Sequence, residues 1–194
     1  MDFELTQDQQ IFYDSVKRFA VNELGNGAVD RANSDGYLWD VAARFAEMGL
    51  LGITVPESKG GIGGSLTDAV LAIQAIAEVC PRSADVVQAG NFGAIRTFAE
   101  YANADQLARF LPDILAGKGV MSVGMSEPDA GSSVTELKTS ATPDGDGFLV
   151  NGSKVFGTNS GDAEVFLIYL RFGPGTEGIG SALIEKGTAG FEIG

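Results

Sequence analysis

The sequence contains no histidine and a single cysteine in 194 residues. Without histidine, neither a Ser-His-Asp nor a Cys-His couple can be assembled within the chain, and zinc loses its commonest nitrogen ligand. Cys80 has no partner for an internal disulfide, which suits a reducing compartment. Set in the apolar run AIQAIAEVC, it reads as a small buried hydrophobe. Positive charge is also scarce, with 13 Lys and Arg against 26 Asp and Glu, a formal net charge of −13. Residues 1–118 hold 9 basic and 16 acidic side chains and residues 119–194 hold 4 and 10, so the acidity is spread and neither part forms a basic patch. This argues against a nucleic-acid partner and against docking on anionic lipid; the ordinary reading of the charge is solubility. No uncharged apolar run approaches the roughly 20 residues of a membrane helix. The N-terminal stretch MDFELTQDQQ lacks the basic and apolar regions of a secretory signal. The expectation is a cytoplasmic protein with no membrane insertion.

What is present falls into two textures. Residues 1–118 carry helical patterns. Thr6 and Gln9 form a capping-box signature, followed by Ile11, Phe12, Val16, Phe19, Ala20 and Leu24 at helical spacing, with Gly25 as the stop. LWDVAARFAEM predicts a second helix with Leu38, Ala42 and Phe45 on one face and Gly49 beyond its end. LLGITVPES reads as a short extended link, because Pro56 biases Val55 away from helix. SKGGIGGSLTDA matches neither glycine-rich nucleotide pattern and reads as a flexible connector with Ser65 or Thr67 as a helix cap. LTDAVLAIQAIAEVC is apolar on nearly every side, as in a helix buried within a bundle. Pro81 ends it or opens the next turn. DVVQAGNFGAIRTFAEYA and ADQLARFLPDILAG predict two more helices, the second capped by Asp105 and kinked or split by Pro112.

Residues 119–194 hold 15 of the 27 glycines, with alternating runs between them. GFLVNGSKVFGT, EVFLIYLRF and IGSALIEKG read as strands, PDGDG and FGPGTEG as turns. The predicted fold class is α+β, an N-terminal helical domain (1–118) followed by β-structure (119–194).

The candidate chemistry lies in the second part. Glu127 and Asp129 flank Pro128 in MSEPDAGSSVTELKT; such acids are usually solvated in a turn, and no further acidic cluster joins them to make a metal site. The segment passes from an apolar run through a proline turn to Gly131, then to the hydroxyls Ser132, Ser133 and Thr135. About 25 residues on, NGSKVFGTNSGDAE repeats the theme in Phe156, Gly157 and Thr158: an aromatic, a small residue and a hydroxyl. The pair is either two surface turns or two edges that hold a planar, polar-rimmed ring. A flavin suits the second description.

GMSEPDAGSS followed by FLVNGSKVFGTNSGDAE resembles the acyl-CoA dehydrogenase signature T-E-P-x-A-G-S-D … N-G-x-K-x-W-I-T-N. GLLGITVPESKGGIGGS is similar to a loop of that family's helical domain and FAEYANADQLARFLPDILAGK to the segment that leads into its middle domain, so the resemblance runs along essentially the whole chain. It implies an N-terminal all-α helical bundle followed by a partial β-barrel or sandwich middle domain, FAD as cofactor, an acyl-CoA thioester as substrate, an electron-transfer flavoprotein as redox partner and a dimeric or tetrameric homo-oligomer. By the same resemblance, Val123, Met125 and Ser126 line the flavin, with the Ser126 hydroxyl on its N1/O2 side. Gly131 allows close backbone approach, and Ser132 contacts both FAD and thioester. Phe156, Gly157 and Thr158 form the second edge, with the Thr158 hydroxyl at N5. The family also includes oxidases, monooxygenases and desulfinases of the same fold, and a non-catalytic subunit is a further alternative.

Three departures accompany the resemblance. Ser133 stands where aspartate is usual, and Phe156 replaces a tryptophan. The family's C-terminal helical bundle, which carries its usual catalytic glutamate, has no counterpart, so no catalytic base is assigned and Glu127 is not promoted to the role. The expectation is that the remainder exists as a further portion of the chain or as a separate chain.

Overall fold

The computed structural model describes residues 4–194. The chain divides into two compact units, the first ending at Gly119 and the second beginning at Val120.

The first unit is helical. Thr6 caps α1 (Gln7–Phe19) through the capping box with Gln9. The helix then widens into one π-helical turn, Ala20–Leu24. A short α2 (Ala28–Ala32), absent from the sequence reading, precedes α3 (Trp39–Glu47), which buries Val41, Ala42 and Phe45. Ser65 caps α4 (Leu66–Ala77) in a second capping box with Asp68. Pro81 occupies the first position of α5 (Pro81–Ala89), where its missing N–H costs nothing. α6 (Ala94–Tyr101) and α7 (Ala104–Leu115) complete the unit. Its core gathers Leu24, Val41, Phe45, Leu50, Val55, Ile76, Ile95 and Phe98. Cys80 is among the buried residues, its sulfur 3.1 Å from the Ser83 hydroxyl.

Several expectations are corrected here. Ile11 follows the helical spacing of α1 but is 56% exposed, so the apolar stripe is narrower than its sequence period. α4 is not buried all round, because Leu66 and Val70 face solvent. The predicted helix through DVVQAGNFGAIRTF breaks between α5 and α6, where Gly93 sits at φ 63. At this break the buried Asn91 amide donates to the carbonyls of Leu50 and Val87, both at 2.8 Å, and the Thr54 hydroxyl donates to the Asn91 carbonyl at 2.7 Å. LLGITVPES is a succession of turns rather than an extended link. Gly52, at φ 74, accepts from Val55 and Ile62, and the glycine loop folds back as Gly63 N–H donates to Val55 O at 2.8 Å and Gly64 N–H to Ile53 O at 2.7 Å. Asn103, not Asp105, caps α7, since its extended backbone lets its side chain accept from Gln106 N–H while Gln106 answers. Pro112 lies inside α7 without splitting it.

The second unit is built on one five-stranded mixed sheet. Its centre is β4 (Val165–Arg171), largely buried as a strand covered on both faces must be. β1 (Met121–Gly124) runs parallel to β4 in the register Met121↔Val165, and β5 (Ile179–Glu185) pairs antiparallel along β4's whole length. β2 (Ser140–Asp144) and β3 (Gly147–Asn151) form a hairpin whose base touches the end of β4 at Ser140↔Arg171. β2 was hidden in sequence because Pro143 and Asp144 look like turn residues. β3 is shorter than its alternating run: Gly152 turns the chain at φ 153, where a Cβ would sit 2.3 Å from Thr139 Oγ1.

These contacts predict opposite outcomes for two surface-looking changes. Ile11→Gln should alter stability by less than about 0.5 kcal/mol. Gly61→Ala should destabilise by roughly 1–3 kcal/mol, because its Cβ would lie 2.1 Å from Val55 O. Urea denaturation of the two variants checks both.

Candidate functional site

The two stretches singled out in sequence lie side by side in the second unit. Val155 N–H donates to Ser126 O at 2.9 Å, and the Ser122 hydroxyl donates to Thr158 O at 2.8 Å. Ser122 precedes Ser126 while Thr158 follows Val155, so the two margins run antiparallel. Lys154 crosses between them, its ammonium donating to Met125 O at 3.1 Å and to Glu127 Oε1 at 2.8 Å. Gly124 gives it passage, since a Cβ there would lie 3.2 Å from Lys154 Cγ and 2.5 Å from Ile168 Cδ1.

Glu127 is the hub of the first margin. Its backbone closes a tight turn with Ala130, with N–H···O distances of 3.0 and 3.1 Å in the two directions. Its carboxylate accepts from Lys154, from Lys138 N–H at 2.6 Å and from Thr139 N–H at 2.9 Å, with only 5% of the side chain exposed. Burial pushes its pKa up, but the Lys154 ammonium and the surrounding hydrogen bonds outweigh that and hold it at about 2, below the ordinary 4.5. The expectation of a solvated acid fits only Asp129, which meets Lys138 Nζ at 2.9 Å in the open. Glu127 is a buried structural anion.

Val123 lies in β1, and Met125 and Ser126 follow it, all three half-buried. Phe156 is 92% exposed at φ 59, and Asn159 stands at φ 62. Non-glycine residues held in this left-handed region store strain that tends to mark functional sites. Gly157 is half-buried between them and Thr158 is exposed. No hydrogen bond among the described residues engages the hydroxyl of Ser126 or of Thr158. Gly131 and Ser132 are exposed on the loop beyond the Glu127–Ala130 turn, and no hydrogen bond among the described residues ties them to the second margin. A Cβ at Gly131 would meet nothing within 4 Å. The structure therefore brings Met125, Ser126, Gly157 and Thr158 onto neighbouring margins and leaves Gly131 and Ser132 on an adjoining loop.

Four supporting residues escaped the sequence reading: Ser122, Lys138, Lys154 and Arg171. Arg171 donates to the carbonyls of Thr135, Leu137 and Gly175, tying the end of the Gly131–Leu137 loop to the end of β4. The available signal was scarcity. Residues 119–194 hold 4 basic side chains, and all but Lys186 are spent on this one loop and its turn.

The family model of the acyl-CoA dehydrogenase N-terminal domain matches residues 6–118, and that of the acyl-CoA dehydrogenase middle domain matches residues 122–194. The short-chain-specific acyl-CoA dehydrogenase of Clostridium acetobutylicum is 30% identical over 100% of this chain and 52% of its own. The 3-sulfinopropanoyl-CoA desulfinase of Advenella mimigardefordensis is 32% identical over 99% of this chain and 49% of its own. Among solved structures, PigA with FAD and proline aligns at a TM-score of 0.88 with 29% identity, covering 100% of this chain and 52% of that one. The chain thus spans about half the length of the curated relatives it matches.

Breaking the Glu127–Lys154 pair strands one buried charge. Lys154→Met is expected to destabilise the second unit by about 3–5 kcal/mol, measured by urea denaturation. The pH dependence follows from the same anion. A carboxylate whose folded pKa is depressed contributes stability that is complete above its ordinary value of 4.5 and is lost as pH falls through about 2. The loss across that window should be on the order of 3 kcal/mol in the wild type and largely absent in Glu127→Gln, as read from denaturation midpoints at successive pH values. Gly131→Ala should leave stability unchanged.

Proposed function

Because the chain belongs to the acyl-CoA dehydrogenase family, we propose that its two antiparallel margins hold the isoalloxazine ring of FAD and that the protein carries out α,β-dehydrogenation of an acyl-CoA thioester. The observation that carries this reading is the tether between the margins: Ser126 to Val155, Ser122 to Thr158, and Lys154 across both. The local chemistry fits such a ring. Two hydroxyls have no hydrogen-bond partner among the described residues, an aromatic side chain stands in solvent on strained backbone, and Gly131 leaves open space.

In this reading Val123 and Met125 offer apolar surface along the ring. The Ser126 hydroxyl donates on its N1/O2 side and the Thr158 hydroxyl at N5, where preorganised donors favour the reduced, more negative form. Phe156 supplies a stacking face, and Gly157 keeps the second margin thin. Gly131 admits close backbone approach, while Ser132 contacts both FAD and the thioester. The bound flavin supplies hydride acceptance from the acyl β-carbon. Glu127 takes no part in removing the α-proton: its carboxylate is buried, paired and held at about pKa 2. Residues 1–118 act as the helical domain and 119–194 as the middle domain of a cytoplasmic homo-oligomer, dimeric or tetrameric, reoxidised by an electron-transfer flavoprotein. No described helix is long and apolar enough to cross a membrane.

A second reading keeps the fold and changes the reaction. The 32% identity to a 3-sulfinopropanoyl-CoA desulfinase favours sulfite release from a sulfinated thioester. The complete protein, with the region that supplies the base, titrated with FAD should turn yellow and bleach anaerobically with a saturated acyl-CoA. Sulfite release from a sulfinated acyl-CoA without bleaching by a saturated one would select the desulfinase. Failure to bind FAD would overturn both.

A further inference from the structure

Ser122 sits in β1 with about 1% of its surface exposed. A hydroxyl buried this deeply needs a partner, and it finds one 36 residues away in the Thr158 carbonyl at 2.8 Å. No backbone N–H among the described residues reaches that carbonyl. The loop it belongs to is bracketed by Phe156 at φ 59 and Asn159 at φ 62, the two non-glycine residues with positive φ among those described. Left-handed backbone at such residues persists only where the surroundings over-determine it. Within the loop, Ser160 N–H donates to Gly157 O at 3.2 Å and Ala163 N–H to Asn159 O at 2.9 Å. Those bonds shape the turn but do not attach it to the sheet. The Ser122 hydroxyl attaches the Thr158 end of the loop, while Lys186 Nζ holds its far end by donating to Gly161 O at 3.1 Å.

We propose that Ser122 is a positioning residue of the site, its buried hydroxyl latching the Thr158 carbonyl to β1 and so setting where the free Thr158 hydroxyl meets its ligand. The inference rests on the reading of Thr158 as a flavin contact. Ser122 itself touches no ligand and acts through the Thr158 peptide.

The test is a double-mutant cycle on the purified protein with Ser122→Ala, Thr158→Val and the pair. Three quantities are read: the FAD dissociation constant by fluorescence titration, the midpoint potential of the bound flavin, and amide hydrogen exchange of Gly157–Ser160 without FAD. Ser122→Ala should weaken FAD binding about 5-fold, the scale of one hydrogen bond. It should also shift the potential and speed the exchange. Thr158→Val should weaken binding as well, and the double variant should be no worse than Thr158→Val. Ser122→Cys, close in volume with a weak donor, is the second variant and should fall between wild type and alanine. Losses that multiply in the double variant, or wild-type affinity and exchange in Ser122→Ala, would overturn the latch. A wild-type protein that binds no FAD would overturn the flavin reading and the latch together. FAD binding that is weakened by Thr158→Val but not by Ser122→Ala would overturn the latch alone.

Discussion

The second unit depends on one buried anion. Glu127 accepts two backbone N–H groups and the Lys154 ammonium in a setting almost closed to water. Such a pair adds little net stability against an apolar replacement, because desolvation offsets most of the Coulomb gain. Its contribution is geometric. Lys154 belongs to the second margin and Glu127 to the first, so their contact sets the register between stretches 27 residues apart. A salt bridge with several fixed donors has one satisfactory arrangement, where two apolar side chains would tolerate many.

The chain's charge makes that arrangement legible. In a unit with 4 basic and 10 acidic residues, each cation is a limited resource. Lys154 braces the Glu127 turn from within, Lys138 meets Asp129 at its surface, and Arg171 ties down the loop that follows. Around this fixed frame the backbone is strained at Phe156 and Asn159, and the hydroxyls of Ser126 and Thr158 have no hydrogen-bond partner among the described residues. Rigid support beneath open polar groups is what a site requires if it is to meet a ligand without reorganising first.

Much of this was readable from local chemistry. The capping box of Thr6 with Gln9, the helical face of Leu38, Ala42 and Phe45, and the apolar run of β4 are short-range signals, and the structure contains each. The α+β class followed from the change of texture in the sequence. What failed were features decided by distant contacts. Asn91 breaks a predicted helix because its amide meets carbonyls of Leu50 and Val87. β3 stops at Asn151 because Gly152 packs on Thr139. Glu127 looked like a solvated turn acid because neither Lys154 nor Lys138 is near it in sequence. The paired hydroxyl motifs were visible, whereas the Ser122 and Lys154 tethers that place them together were not.

The account turns on whether the two margins form one binding surface. Backbone amide shifts recorded while FAD is added to isotope-labelled protein test this most directly. The predicted result is saturable changes concentrated at residues 123–132 and 156–158, with the helical unit little affected. Shifts confined to one margin, or scattered over the helices with none at Ser126 and Thr158, would contradict it.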